Sequence, residues 1–75
     1  MTWNKKLGRA VSTTRARLGW SKYRLAGEIG TGITHLTRIE AGEVSINVET
    51  MIALSRALEI EIKIDATGTL TIKSR

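Results

Sequence analysis

Glycines at positions 19, 30 and 42 cut the front of this chain into short segments, and within them apolar residues recur three or four apart. That period places them on one face of a helix. Leu7, Val11, Thr14 and Leu18 predict a first helix over residues 4–18, with Gly19 where a left-handed C-terminal residue belongs. Ser21 is a suitable N-cap for a second helix that carries Leu25, Ala26 and Ile29 on one side and ends at Gly30. Thr31-Gly32 turns the chain into a third helix over residues 33–41, stopped by Gly42. Asn47 caps a fourth, with Val48, Met51, Leu54, Ser55 and Leu58 as its stripe.

Beyond Leu58 the period changes from helical to alternating. Ile60, Ile62 and Ile64 lie between Glu59, Glu61, Lys63 and Asp65, which is the pattern of a strand with one apolar face. Asp65-Ala66-Thr67-Gly68 reads as a turn, and Leu70 and Ile72 resume the alternation. A lone hairpin is marginal in water, so its isoleucine face must cover something: the helices, a second copy of the chain, or a partner. The fold expected is mainly α, four to five short helices followed by a C-terminal β-hairpin. Residues 1–58 form the helical part and residues 59–75 the extension, within one domain.

Size limits what else the chain can do. Its 75 residues carry no cysteine and one histidine, which removes disulfides, thiolate ligands and a self-sufficient zinc site. So small a core is thin, and dimerisation is a common way to add buried area. No apolar run approaches the roughly 20 residues that span a bilayer, and no secretory segment follows Met1. The cytosol is the expected address, and no membrane, metal or cofactor is expected. Catalysis lacks its parts: there is no phosphate loop, no histidine pair, and no serine with a histidine at motif spacing.

Charge is uneven. Twelve basic residues face seven acidic ones, a net +5. Residues 1–38 hold eight of the cations against Glu28 alone, whereas residues 39–75 hold four against six acids. A basic front and a mildly acidic back suit a polyanion on one face and protein contact on the other, or simply a solubilising surface.

Two short helices, a tight glycine turn and small Ala26 at the crossing make the physical recipe for a helix-turn-helix. Leu36 and Ile39 would anchor the second of these helices, leaving its other face free for a DNA major groove. Ser21-Lys22, Leu25-Ala26, Ile29-Gly30 and Arg38-Ile39-Glu40-Ala41-Gly42 resemble the lambda-repressor-like Cro/C1 class, the XRE family. Leu7-Gly8 and Arg15 upstream, and Val48 to Leu58 downstream, fit its other helices, so the likeness covers about residues 7–58. Residues 59–75 depart from the phage repressors, which often add a helix there, and look more like antitoxin members whose C-terminal strands complete the dimer.

The resemblance makes residues 32–41 the recognition helix, with Ile33, Thr34, Thr37 and Arg38 at the bases. Arg38 suits guanine O6 and N7. Ile33 replaces the usual polar residue and has no hydrogen bond to offer; it would touch a thymine methyl, lean on a sugar, or pack in the core. Lys22 matches a phosphate-contacting position, with Ser21 and the helix amides beside it. Ser45, in the loop after the recognition helix, and His35 are further phosphate candidates, and His35 serves equally as a solvated residue. Arg15 and Glu40 match an ion pair that orients the recognition helix and spares guanidinium protons for a phosphate. Trp20 reads as core; Trp3 has no clear side. Lys5, Lys6 and Arg9 either reach an adjacent phosphate or a minor groove, or stay solvated.

These readings imply a sequence-specific repressor of double-stranded DNA, a homodimer on an inverted repeat. Ile60, Ile62, Ile64, Leu70 and Ile72 are expected at the dimer interface. The alternative is an antitoxin that neutralises a toxin partner and represses its own operon; a restriction–modification controller is a third.

Overall fold

In the computed structural model the backbone is described from residue 2 to 74 and the side chains from residue 4, so Trp3's packing lies outside the described residues. Helices α1 (Thr2–Arg17), α2 (Lys22–Ile29), α3 (Ile33–Ala41) and α4 (Val48–Leu58) precede strands β1 (Ile60–Ile64) and β2 (Leu70–Ser74). The caps are local chemistry. Ser21 Oγ accepts the amide of Arg24 at 3.0 Å, and Asn47 Oδ1 accepts that of Thr50 at 2.8 Å. Each satisfies an N–H that the first helical turn leaves without a partner. Gly32 caps α3 with no side-chain bond.

α1 and α2 contribute Leu7, Val11, Leu25 and Ala26 to the core, α3 contributes Leu36 and Ile39, and α4 contributes Leu54 and Leu58. Ile46 closes it from the α3–α4 loop. Two residues of the expected stripes fall outside. Leu18 lies past the end of α1 and is 47% exposed, and Val48, at the first turn of α4, is 69% exposed. A period says which residues share a face; burial also needs an opposing surface at that height.

Among the described residues no fifth helix follows α4. Glu59, with φ of 54°, is the only non-glycine among the described residues in the left-handed region, and it redirects the chain into β1. Ser55 Oγ then donates to the Ile60 carbonyl at 2.6 Å, binding the last turn of α4 to the strand. The hairpin is antiparallel, with Ile60 opposite Ser74, Ile62 opposite Ile72 and Ile64 opposite Leu70. β1 packs on α4 and β2 on α1.

The hairpin face is divided between the chain's own core and its surface. Ile60 and Leu70 are buried in the chain's own core, at 1% and 3% exposure, so neither is free to be covered by a second copy. Ile62 and Ile72 pack against the same core and are half-buried, while Ile64 is 48% exposed. The reason is economy of apolar surface: a thin helical body uses the nearest isoleucine face to complete itself.

Candidate nucleic-acid interface

The helix pair at the centre of the molecule is set by close contacts. Ala26, 3% exposed, lies in the core beside Leu36 and Ile39, where α2 packs on α3. The turn between them is closed by the Thr31 amide on the Ala26 carbonyl at 2.9 Å and the Gly30 amide on Gly27 at 3.3 Å.

α1 crosses the C-terminal end of α3 at backbone contact. A Cβ added to Gly8 would stand 2.8 Å from the Glu40 carbonyl oxygen and closer still to that of Ile39. Just beyond, Gly42 takes φ of 74° and lies against Lys5, whose Cα would be 2.7 Å from any Cβ there. Lys5 thus lies beside the negative end of the α3 dipole, a favourable place for a cation.

One ion pair locks this crossing. Arg15 Nε donates to Glu40 Oε2 at 2.8 Å and Nη2 to Oε1 at 3.3 Å, while Nη1 donates to the Trp20 carbonyl at 2.8 Å. The side chains are 15% and 7% exposed, and among the described residues this is the only salt bridge joining two elements. A planar fork held at three acceptors fixes α3 against α1 and against the turn into α2. One proton on each terminal nitrogen is left over. Trp20 itself is half-buried against the core, with the Arg24 guanidinium 4.2 Å from the centre of its ring.

With Leu36 and Ile39 turned inward, α3 presents Thr34, Thr37 and Arg38 outward, all exposed. Arg38 forms no ion pair within the described chain. Ile33, at the first turn, is 40% exposed, so it is not a core residue. His35 lies on the other flank of α3, in a recess it shares with Thr31 and with Glu49 and Thr50 of α4. Glu49 there is the wrong sign for a phosphate. Lys22, half-buried, and Ser21, exposed, stand at the start of α2; the Ser21 oxygen accepts the cap bond, leaving its proton to give. Ser45 is exposed in the α3–α4 loop.

Lys6, Arg9 and Arg17 line a groove of about 330 Å³ between α1 and the hairpin residues Ile60 and Ile72. That flank of α1 is turned away from Gly8 and Arg15, and therefore from α3. One surface residue escaped the sequence reasoning. Tyr23 is 77% exposed and shares with Gly27, Thr31, Gly32, Ile33 and Thr34 a second groove of about 410 Å³. Its signal was an aromatic residue off the Leu25–Ala26–Ile29 stripe.

None of the described helices is long and apolar enough to cross a membrane. A protein-family model described as helix-turn-helix matches residues 12–64, from the middle of α1 through β1. Neither the curated proteins nor the solved structures contain a match to this chain.

Proposed function

The chain belongs to the helix-turn-helix family, of the Cro/C1 or XRE type, and from that premise we propose a sequence-specific repressor that acts as a homodimer on an inverted-repeat operator. The family is one of DNA-binding transcription regulators, not an enzyme class. The observation that carries the reading is the exposed polar side of α3, Thr34, Thr37 and Arg38, held by the Arg15–Glu40 pair. Arg38 reads a guanine; Thr34 and Thr37 contact neighbouring bases. Ser21, Lys22 and Ser45 hold phosphates that set the register, and the two spare protons of Arg15 reach one more. His35 is the weakest member of that group because Glu49 shares its recess. The site of action is the cytoplasm.

In the dimer, two α3 helices enter successive major grooves about 34–36 Å apart. Ile64 of the hairpin, with the exposed parts of Ile62 and Ile72, forms the contact between copies. Ile64→Lys leaves the core intact and is expected to give a monomer in sedimentation. If it stays dimeric while Ile52→Lys, on the exposed side of α4, does not, the helices make the interface.

The test of the main reading is fluorescence anisotropy on duplexes at several salt concentrations. Affinity is expected to fall steeply with salt, because phosphate neutralisation releases counterions, and to favour particular sequences. A flat salt response, or equal binding to every duplex, defeats it.

A second reading rests on the acidic excess of residues 39–75, which suits a protein partner: an antitoxin that neutralises a toxin and represses its own operon. Co-expression with the product of the adjacent reading frame decides between them, since a plain repressor retains no such partner.

A further inference from the structure

The groove beside the start of α3 is open because two of its positions carry no side chain. At Gly27 and at Gly32 an added Cβ would meet nothing within 4 Å, so any larger residue would project into free space there. Its walls are Tyr23 on one side and Ile33 with Thr34 on the other. No charged side chain lines it, yet Lys22 and Arg24 stand next to Tyr23 in α2, and Arg38 lies on the outer side of α3. A polyanionic backbone drawn to those cations would bring whatever lies between its phosphates to this opening.

What the opening offers is apolar. Ile33 can neither give nor accept a hydrogen bond, and it is 40% exposed at the leading turn of a helix otherwise faced with threonines and arginine. Thr34 adds a methyl group, and Tyr23 adds a ring that stands 77% clear of the chain. Among the base edges of the major groove only thymine presents an apolar group, the C5-methyl; the other edges present donors and acceptors that Ile33 would leave unpaired. Resting on the DNA-reading function proposed above, we infer that Ile33, flanked by Tyr23 and Thr34, selects a thymine in each half-site by enclosing its methyl group. Arg38 then reads by hydrogen bonds and Ile33 by removal of water.

Deoxyuridine tests this, since it keeps every hydrogen-bonding group of thymine and lacks only the methyl. A preferred site is first obtained by selection from random duplexes, and each thymine in it is then replaced singly by deoxyuridine. One position per half-site is expected to lose affinity about fourfold, and the symmetric pair about 15-fold, the size of one or two methyl groups returned to water. In Ile33→Ala, whose fold is checked by circular dichroism, the same replacements should change affinity by less than about 1.5-fold. A preferred site in which no thymine responds overturns the inference and leaves the DNA-reading function standing. So does a response that Ile33→Ala retains in full. If the selection returns no preferred site at all, both fail together.

Discussion

The Arg15–Glu40 pair gives the most searching test, because its two partners differ in what they leave behind. Removing Arg15 strands the Glu40 carboxylate, 7% exposed, with no donor, and takes the Nη1 bond from the Trp20 carbonyl as well. Removing Glu40 leaves a guanidinium that is 15% exposed, still holds the Trp20 carbonyl and can lean toward water. Breaking a buried pair from one side costs about 3–5 kcal/mol. We therefore expect Arg15→Ala at about 3–4 kcal/mol and Glu40→Ala, discounted for the better-solvated survivor, at about 2 kcal/mol. The double variant leaves no unpaired charge and should cost about 2 kcal/mol, far below the sum of the singles. A domain of this length holds roughly 4–11 kcal/mol in total, so Arg15→Ala removes a large share of it. The assay is urea denaturation followed by circular dichroism. With a slope of about 1 kcal/mol per molar, Arg15→Ala should bring the midpoint down by about 3–4 M. Additive single costs, or a Glu40→Ala loss equal to that of Arg15→Ala, would refute the account of a pair whose worth is mutual neutralisation in a covered site.

Three further outcomes follow from the geometry. Gly8→Ala gains about 0.8–1 kcal/mol of helix propensity but overpacks against α3 backbone, which no rotamer relieves, at about 1–3 kcal/mol. Its melting temperature should fall by several degrees, and an unchanged or higher value would mean that α1 and α3 can part freely. In the hairpin turn, the Thr67 hydroxyl, the Thr69 amide and the Thr67 amide all donate to Asp65 Oδ1, at 2.6, 2.9 and 2.9 Å. These bonds, the hydroxyl's first, hold the Asp65 carboxyl below its ordinary 3.8. A depressed folded pKa gives stability that is present above 3.8 and lost as pH falls through the folded value. The Thr67 and Thr69 amide resonances should thus titrate together with a midpoint below 3.8, and a midpoint at or above it contradicts the turn described. Arg38→Ala should weaken binding to the preferred site by about 1–3 kcal/mol and barely touch binding to random duplex; equal losses would make Arg38 a phosphate contact.

The helices were legible because their causes are local. Ser21 and Asn47 cap the helices that follow them, Gly30 and Gly42 close α2 and α3, and the change of period after Leu58 marks the hairpin. The helix-turn-helix crossing at Ala26 could likewise be read from residue size and spacing. What stayed hidden depends on residues far apart in the chain. Gly8 looks like any helical glycine until α3 is laid across it, and His35 looks like a free donor until Glu49 of α4 shares its recess. Tyr23 belongs to no repeating pattern, so no period could single it out.

The hairpin shows the division best. Alternation alone put Ile60, Ile62 and Ile64 on one side of their strand and Leu70 and Ile72 on one side of theirs, since successive side chains of a strand point to opposite sides; the pairing of Ile62 with Ile72 and Ile64 with Leu70 joins the two sets into one face. Alternation could not say what that face would cover. The tertiary structure assigned Ile60 and Leu70 to the chain's own core and left Ile64 in the open, because β2 comes to rest on α1 and β1 on α4. Which apolar surface is spent inside and which remains for a partner is decided by packing across the whole chain, and no local pattern contains that information.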